Sequence, residues 1–312
     1  MAIRNLSNSS IRTGTKRNNF WDQTSYPQIP MEVFIIGGGG GACGGNAAGS
    51  GSGGAVYKNF YANKNTSYSI TIGAGGTSNA NVTPSDGSSS TFGNTITAYG
   101  GAYNLGEGNP GRSGGSGSGR AYPTGGVTAG GTATQGIGGN LAYGGAGGSM
   151  NGNTYTGGGG GGLGSAGGNA VNAAGNGGNG TTAYSTWLSD ISSLMPSDWQ
   201  TATANGYIGA GSGSSYDSGT GATGPGSKGL GGAGNSNGRN DSRTSANGGI
   251  AYTGSAAGAG GTTNGVGPGG AGICIVRIPD SYSVTSTTGS PYTKTTNGYK
   301  YYVFTGAGSI TA

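Results

Sequence analysis

Histidine is absent from this chain of 312 residues, and aspartate and glutamate together number 9. Without histidine there can be no Ser-His-Asp or Cys-His nucleophile pair, and so few carboxylates leave acid–base and metal chemistry almost without residues. The expectation is a protein that is not an enzyme and that takes no cofactor and no metal. Charged residues are 7% of the chain, too few for a disordered polyelectrolyte, and hydrophobic residues stop at 31%, too few for an ordinary side-chain core. No apolar run reaches signal-peptide or transmembrane length, so the reading is a protein made in a cytosol without a leader and without membrane insertion.

Glycine is what the chain has instead, at 79 residues. Strict collagen is excluded, because glycine does not recur at every third position and prolines number only 10. A calcium-binding parallel β-helix needs regular aspartates, and residues 106–180 contain none. Matches to GxGxxG are unavoidable here, yet none follows a strand, opens a helix and has an acid about 20 positions on. The segment GPGSKG at 224–229 lacks both the P-loop spacing and the Ser/Thr after lysine.

The conformation that fits is polyglycine II, an extended three-residue helix of the polyproline type with its N–H groups free. Lacking Cβ atoms, such helices can lie at backbone contact distance and bond N–H to C=O between neighbours, with the occasional small side chain facing outward. Ordering costs about 1–2 kcal/mol per residue against about 1 kcal/mol net per hydrogen bond, so the bundle needs a staple. Disorder is the competing reading of the same composition.

The staple is legible as strands that run into glycine. MEVFIIGGGGGACGG at 31–45 opens the pattern, and GPGGAGICIVRIP at 267–279 reverses it near the far end. Period-two alternation in YSITI and a short hairpin around Gly93 and Asn94 add two more such junctions. The expected fold is mainly β with extensive irregular structure: a small β-sandwich-like platform carrying a polyglycine II bundle and one short amphipathic helix. The platform is assigned to 31–36, 55–61, 68–72, 89–99, 273–278 and 291–305, and the glycine body with its loops to 100–272. Asn297-Gly298 between alternating residues is a strong hairpin signal. Cys43 and Cys274 sit one at each main junction, which raises the chance of their approach; a disulfide is the less favoured alternative to two free thiols.

Three segments carry candidate function. Residues 1–30 form a basic extended arm in which Arg4, Arg12, Lys16 and Arg17 precede the first acid, Asp22. It ends in the aromatic residues Phe20, Trp21 and Tyr26, followed by Pro27 and Pro30. Four charges are a weak nucleic-acid signal, and the better reading is a peptide whose aromatic end fills a pocket on a partner. Between Tyr184 and Met195, Trp187, Leu188, Ile191, Leu194 and Met195 share one helical face, with Ser185 as N-cap and Pro196 as stop. This helix is expected to pack on a flank of the glycine bundle. Residues 205–270 bring loops rich in Tyr, Asn and Ser, the composition of recognition surfaces, with Tyr207, Tyr216, Asn240 and Arg243 as candidate receptor contacts.

Five segments in order, VFIIGGGGGACGG, YSITIGAGG, TYTGGGGGGLG, GPGGAGICIVRIP and YYVFTGAGSITA, resemble the glycine-rich domain of bacteriophage tail fibres and distal adhesins. The arm SSIRTGTKRNNFWDQ is similar to N-terminal segments of phage virion proteins. The resemblance implies a virion protein, docked to other virion proteins by residues 1–30 and meeting a host cell-surface polysaccharide or protein through its loops. A capsid decoration or head fibre without a receptor is an alternative, an ice-binding or matrix-type glycine protein a remoter one, and homo-oligomerisation is open. The arm and the C-terminal hairpin depart from the best-known adhesins.

Overall fold

Strands β1 (Ile29–Ile36) and β2 (Ala55–Ala62) pair antiparallel and found the larger of two sheets in the computed structural model. The structure describes residues 28–44, 47–78, 83–106, 108–122, 129–135, 141–149, 156–171, 173–214, 247–260 and 267–312. Six strands make this sheet, in the order β6 (Leu141–Tyr143), β2, β1, β7 (Ile273–Pro279), β10 (Tyr299–Phe304) and β9 (Tyr292–Thr296). Five make the other, in the order β5 (Ile96–Ala98), β4 (Ser90–Phe92), β3 (Ser67–Thr71), β11 (Gly308–Thr311) and β8 (Ser286–Thr288). All named pairings are antiparallel.

Alternation along the strands decides which side chains fill which layer. Val33, Ile35, Cys274 and Val276 point between the sheets, onto Ile70, Phe92, Ile96 and Ile310 of the smaller one. Phe34, Ile36, Ile273 and Ile275 point the other way, and a second apolar cluster covers them. This is why VFII and ICIV read as unbroken apolar runs: both faces of the two central strands are buried.

That second layer is helical. The segment expected as one helix on the glycine flank is α1 (Ser185–Ile191), a single 3-10 turn at Ser192–Leu194, and a further helix α2 (Ser197–Thr203). Ser185 is the first helical residue and Tyr184 holds the cap position; Pro196 stops one helix and serves as N-cap of the next. Trp187, Leu188, Ile191 and Trp199 pack on Phe34, Ile275, Tyr301 and Val303, so the helices cover the sheet, with Leu163 as the glycine body's contribution alongside Ile208. Among the described residues no helix is long and apolar enough to cross a membrane.

β1 starts at Ile29, two residues inside the segment read as arm, while β6, β8 and β11 add strands the sequence did not announce. The C-terminal hairpin forms in the expected register, with Tyr299 opposite Thr296 and positive φ at Asn297 (52°) and Gly298 (79°). Nothing lies within 4 Å of a Cβ added to Gly298, so Gly298→Ala tests conformation alone. It is expected to lower unfolding stability by about 1 kcal/mol in a urea titration.

Above the sandwich the strands continue as glycine. Gly37 donates to Gly54 and Gly40 to Gly51; Gly38 donates to Ser88 and Gly41 to Ser85; Gly39 donates to Gly270. Residues three apart therefore return to the same neighbour, which is the three-residue period of polyglycine II. Carbonyls point to still other neighbours, Gly38 accepting from Gly101, Gly39 from Gly76 and Gly40 from Ala257. The same step of three recurs deeper in the body, where Gly49 and Ser52 donate to Gly158 and Gly161, and these in turn to Arg120 and Gly117.

Small side chains do not all face outward as expected. Ser50, Ser52, Ser116, Ser212 and Ser214 are fully buried in the bundle, with Ala102, Ala210 and Ala257. Their hydroxyls act as extra backbone groups: Ser50 Oγ donates to the Gly41 carbonyl at 2.7 Å, and Ser52 and Ser116 share a bond at 2.9 Å. The two cysteines are free thiols, Cys274 wholly buried between the sheets and Cys43 half-buried in the glycine body.

Candidate functional site

Two places on this scaffold bear on the candidate site residues. One is the outer face of the six-stranded sheet, where Glu32 on β1 stands opposite Arg277 on β7 and Arg277 opposite Tyr301 on β10. The Arg277 guanidinium lies between two rings, 4.2 Å from the centre of Trp187 and 4.0 Å from that of Tyr299. Its Nε donates to Glu32 Oε2, and one terminal nitrogen donates to the Tyr301 hydroxyl at 3.4 Å. Tyr57 donates to Glu32 Oε1 at 2.8 Å, while Tyr301 and Asn297 donate to the two oxygens of Asp190 on α1, each at 2.7 Å.

The electrostatics follow from burial and pairing. Burial alone would lower the Arg277 pKa, but its bonds to Glu32 and Tyr301 outweigh that and hold it above the ordinary value. Burial first, then the neighbouring Glu32 carboxylate, pushes Tyr57 up to about 12. Burial likewise pushes Tyr301 to about 12, its bonds to Arg277 and Asp190 acting in opposite senses. The cluster is a clamp that fixes α1 and the hairpin turn to the sheet.

Beside the clamp the sheet face opens into a cleft of about 320 Å³, lined by Pro30, Glu32, Asn59, Tyr61, Pro279 and Tyr299 over Met31 and Phe60. Tyr61 is 66% exposed there. Sequence reasoning missed this site, because its residues come from four strands, β1, β2, β7 and β10, and AVYKNFYA of β2 has no alternation that would mark Tyr61.

The other place is the end of the bundle remote from the sandwich. Gly211 donates to Gly178 and Ser214 to Gly175, each step carrying the chain farther from Ile208, which lies in the cluster on the sheet. Ser214 is the last described residue before 215–246. Tyr216, Asn240 and Arg243 lie outside the described residues, in that interval. Tyr207 is at the opposite end, half-buried beside the Thr181–Ile208 bridge that closes the helical layer. Arg4, Arg12, Lys16, Arg17, Phe20 and Trp21 also lie outside the described residues. Among those described, no group of three or more His, Cys, Asp or Glu side chains stands close enough to hold a metal ion.

A β-sandwich whose strands extend into a polyglycine II bundle defines a glycine-rich structural class. The chain belongs to the glycine-rich domain family, whose model matches residues 22–279. No curated protein and no solved structure matches it.

Proposed function

We propose that the protein is a non-enzymatic structural protein of a bacteriophage virion, a tail-fibre or receptor-binding adhesin. Residues 1–27 attach it to other virion proteins, and the connection between Ser214 and Asn247 meets a host-surface polysaccharide or protein. The observation that carries this reading is the separation of the two ends. β1 begins at Ile29 at the sandwich end, so the arm leaves from there, whereas the chain enters 215–246 from Ser214 at the other end of the bundle. A rigid backbone-bonded rod between an attachment segment and a Tyr/Asn/Arg-containing connection is the geometry an adhesin needs.

Because Ile29 and Pro30 pair with Ala62 and Tyr61, a clean removal of the arm ends at Pro27. A chain starting at Gln28 is expected to be missing from particles while the purified protein still binds host cells, scored by particle immunoblot and cell pull-down. Incorporation without cell binding would overturn the reading. Unimpaired infection by particles carrying Asn240→Ala and Arg243→Ala together would favour the capsid-decoration alternative.

A further inference from the structure

Among the described residues, one buried charge in the glycine body has no partner. Arg120 is 6% exposed, and its Nε is sealed from solvent with no acceptor within reach. Its backbone is held in the bundle, the N–H donating to Gly148 at 3.1 Å and the carbonyl accepting from Gly158 at 2.8 Å. Its chain neighbours are Gly119 and Ala121, and none of these four residues carries a hydrogen-bonding side chain. The described carboxylates are engaged or elsewhere: Glu32 holds Arg277, Asp190 accepts from Tyr301 and Asn297, and Asp198 and Asp280 belong to α2 and the end of β7. Arg112 is the contrasting case. Its Nε is also buried without an acceptor, but a terminal nitrogen donates to Asp86 Oδ2 at 3.4 Å and the guanidinium lies 4.1 Å over the Tyr103 ring.

A buried lysine answers such a position by giving up its proton; a guanidinium keeps its charge and needs a counter-charge. Burial lowers the Arg120 pKa, and no carboxylate or hydrogen bond opposes that effect. A water molecule would satisfy one N–H and leave the charge uncompensated. An oxyanion answers both needs, because the planar fork of N–H donors matches two oxygens of a carboxylate, sulfate or phosphate. The location is the end of the bundle remote from the sandwich. Gly115 lies against Gly54, just before β2, and the chain then climbs to Gly119, which donates to Gly49. Ser214 Oγ donates to the Gly157 carbonyl, and the following residue, Gly158, is the one that donates to Arg120. Arg120 thus stands one glycine helix away from the point where the chain enters 215–246.

We propose that Arg120 binds an oxyanion, a carboxylate, sulfate or phosphate group, at the remote end of the bundle. Where that group belongs to the host-surface polysaccharide, the polymer is an acidic one; this last step rests on the adhesin reading above, and the anion site itself does not.

Thermal unfolding of the full-length protein in sodium sulfate, with ionic strength held constant by sodium chloride, tests the site. A ligand of the folded state raises the melting temperature along a saturating curve, and that is the expected response to millimolar sulfate. Arg120→Met keeps the length of the side chain without its charge. It is expected to move the half-saturating sulfate concentration up at least about tenfold while melting no lower than the parent in the absence of sulfate. Arg112→Met is expected to leave the half-saturating concentration in place. Should the methionine variant not fold, Arg120→Lys retains the charge without the fork, and a shift of at least about threefold is expected. No response in the parent, a rise that never saturates, an unchanged midpoint in the folded Arg120 variant, or an equal loss in Arg112→Met would each overturn the proposal. The titration uses no host material, so its failure leaves the adhesin reading standing, and a failure of cell binding leaves the anion site standing.

Discussion

Replacing Gly39 by alanine abolishes cooperative folding of the glycine bundle, whereas Gly306→Ala leaves stability within about 0.5 kcal/mol of the parent. A Cβ on Gly39 lies 2.5 Å from the Ser255 carbonyl carbon and nearer still to its oxygen. The obstacle is backbone, so no rotamer change relieves it. Overpacking among side chains costs about 1–3 kcal/mol because rotamers yield; here a whole helix must move, and a loss above about 4 kcal/mol is expected. Gly39 also donates to Gly270 and accepts from Gly76, so displacing it breaks bonds to two neighbours at once. At Gly306, by contrast, nothing stands within 4 Å of the added atom. Denaturant unfolding and amide hydrogen exchange of the glycine region check both; normal protection in Gly39→Ala would mean that these glycines are a tether rather than a packed rod. Leucine at the same position should act more severely.

A body built on backbone contacts is also legible in the sequence. The rod was legible because its physics is all backbone: glycine content, strands that empty into glycine, and no alternative repeat. The hairpin at Asn297-Gly298 was legible because the turn demands φ > 0 at both positions. Other features depend on contacts that no local pattern encodes. β11 holds a single fully buried side chain, Ile310, and becomes a strand only because it closes the smaller sheet between β3 and β8. Helix α2 has one large apolar anchor, Trp199, whose indole N–H donates to the Tyr252 carbonyl at 2.9 Å, and a lone anchor gives no helical period. The interior serines look like loop composition, and their role appears only once neighbouring glycine helices surround them.

The candidate site was less legible than the fold for the same reason. The arm and the 215–246 connection stand out by composition, but Glu32 and Arg277 are 245 residues apart and nothing local pairs them. Their adjacency comes from β1 and β7 lying side by side, which also sets Cys274 facing into the sandwich while Cys43 departs with the glycines. Two junctions that mirror each other in sequence are thus neighbours in space at the strand level, and their thiols still face different environments.

Removing the guanidinium at Arg277 is the second large effect expected. Arg277→Ala leaves Glu32 partly buried without its partner, with side-chain exposures of 17% for the arginine and 26% for the glutamate. Breaking a fully buried pair costs about 3–5 kcal/mol; solvent reaches both ends here, so about 2–4 kcal/mol is expected in denaturant unfolding. Arg277→Lys keeps the charge but loses the planar stack between Trp187 and Tyr299 and should forfeit about half of that. A double-mutant cycle with Glu32→Gln isolates the pair, with a coupling of about 1–3 kcal/mol expected; coupling below about 0.5 kcal/mol would make the ring stack, and not the ion pair, the stabilising element. The alkaline limb gives an independent check. Tyr57 and Tyr301 have folded pKa values raised from 10.0 to about 12, so the folded state holds their protons more tightly than the unfolded chain does. Their contribution is fully present below pH 10 and is lost as pH rises through 12. Phenylalanine at both positions should therefore flatten the fall in stability between pH 10 and 12, at the cost of the bonds that tie Glu32 and Asp190 into the clamp.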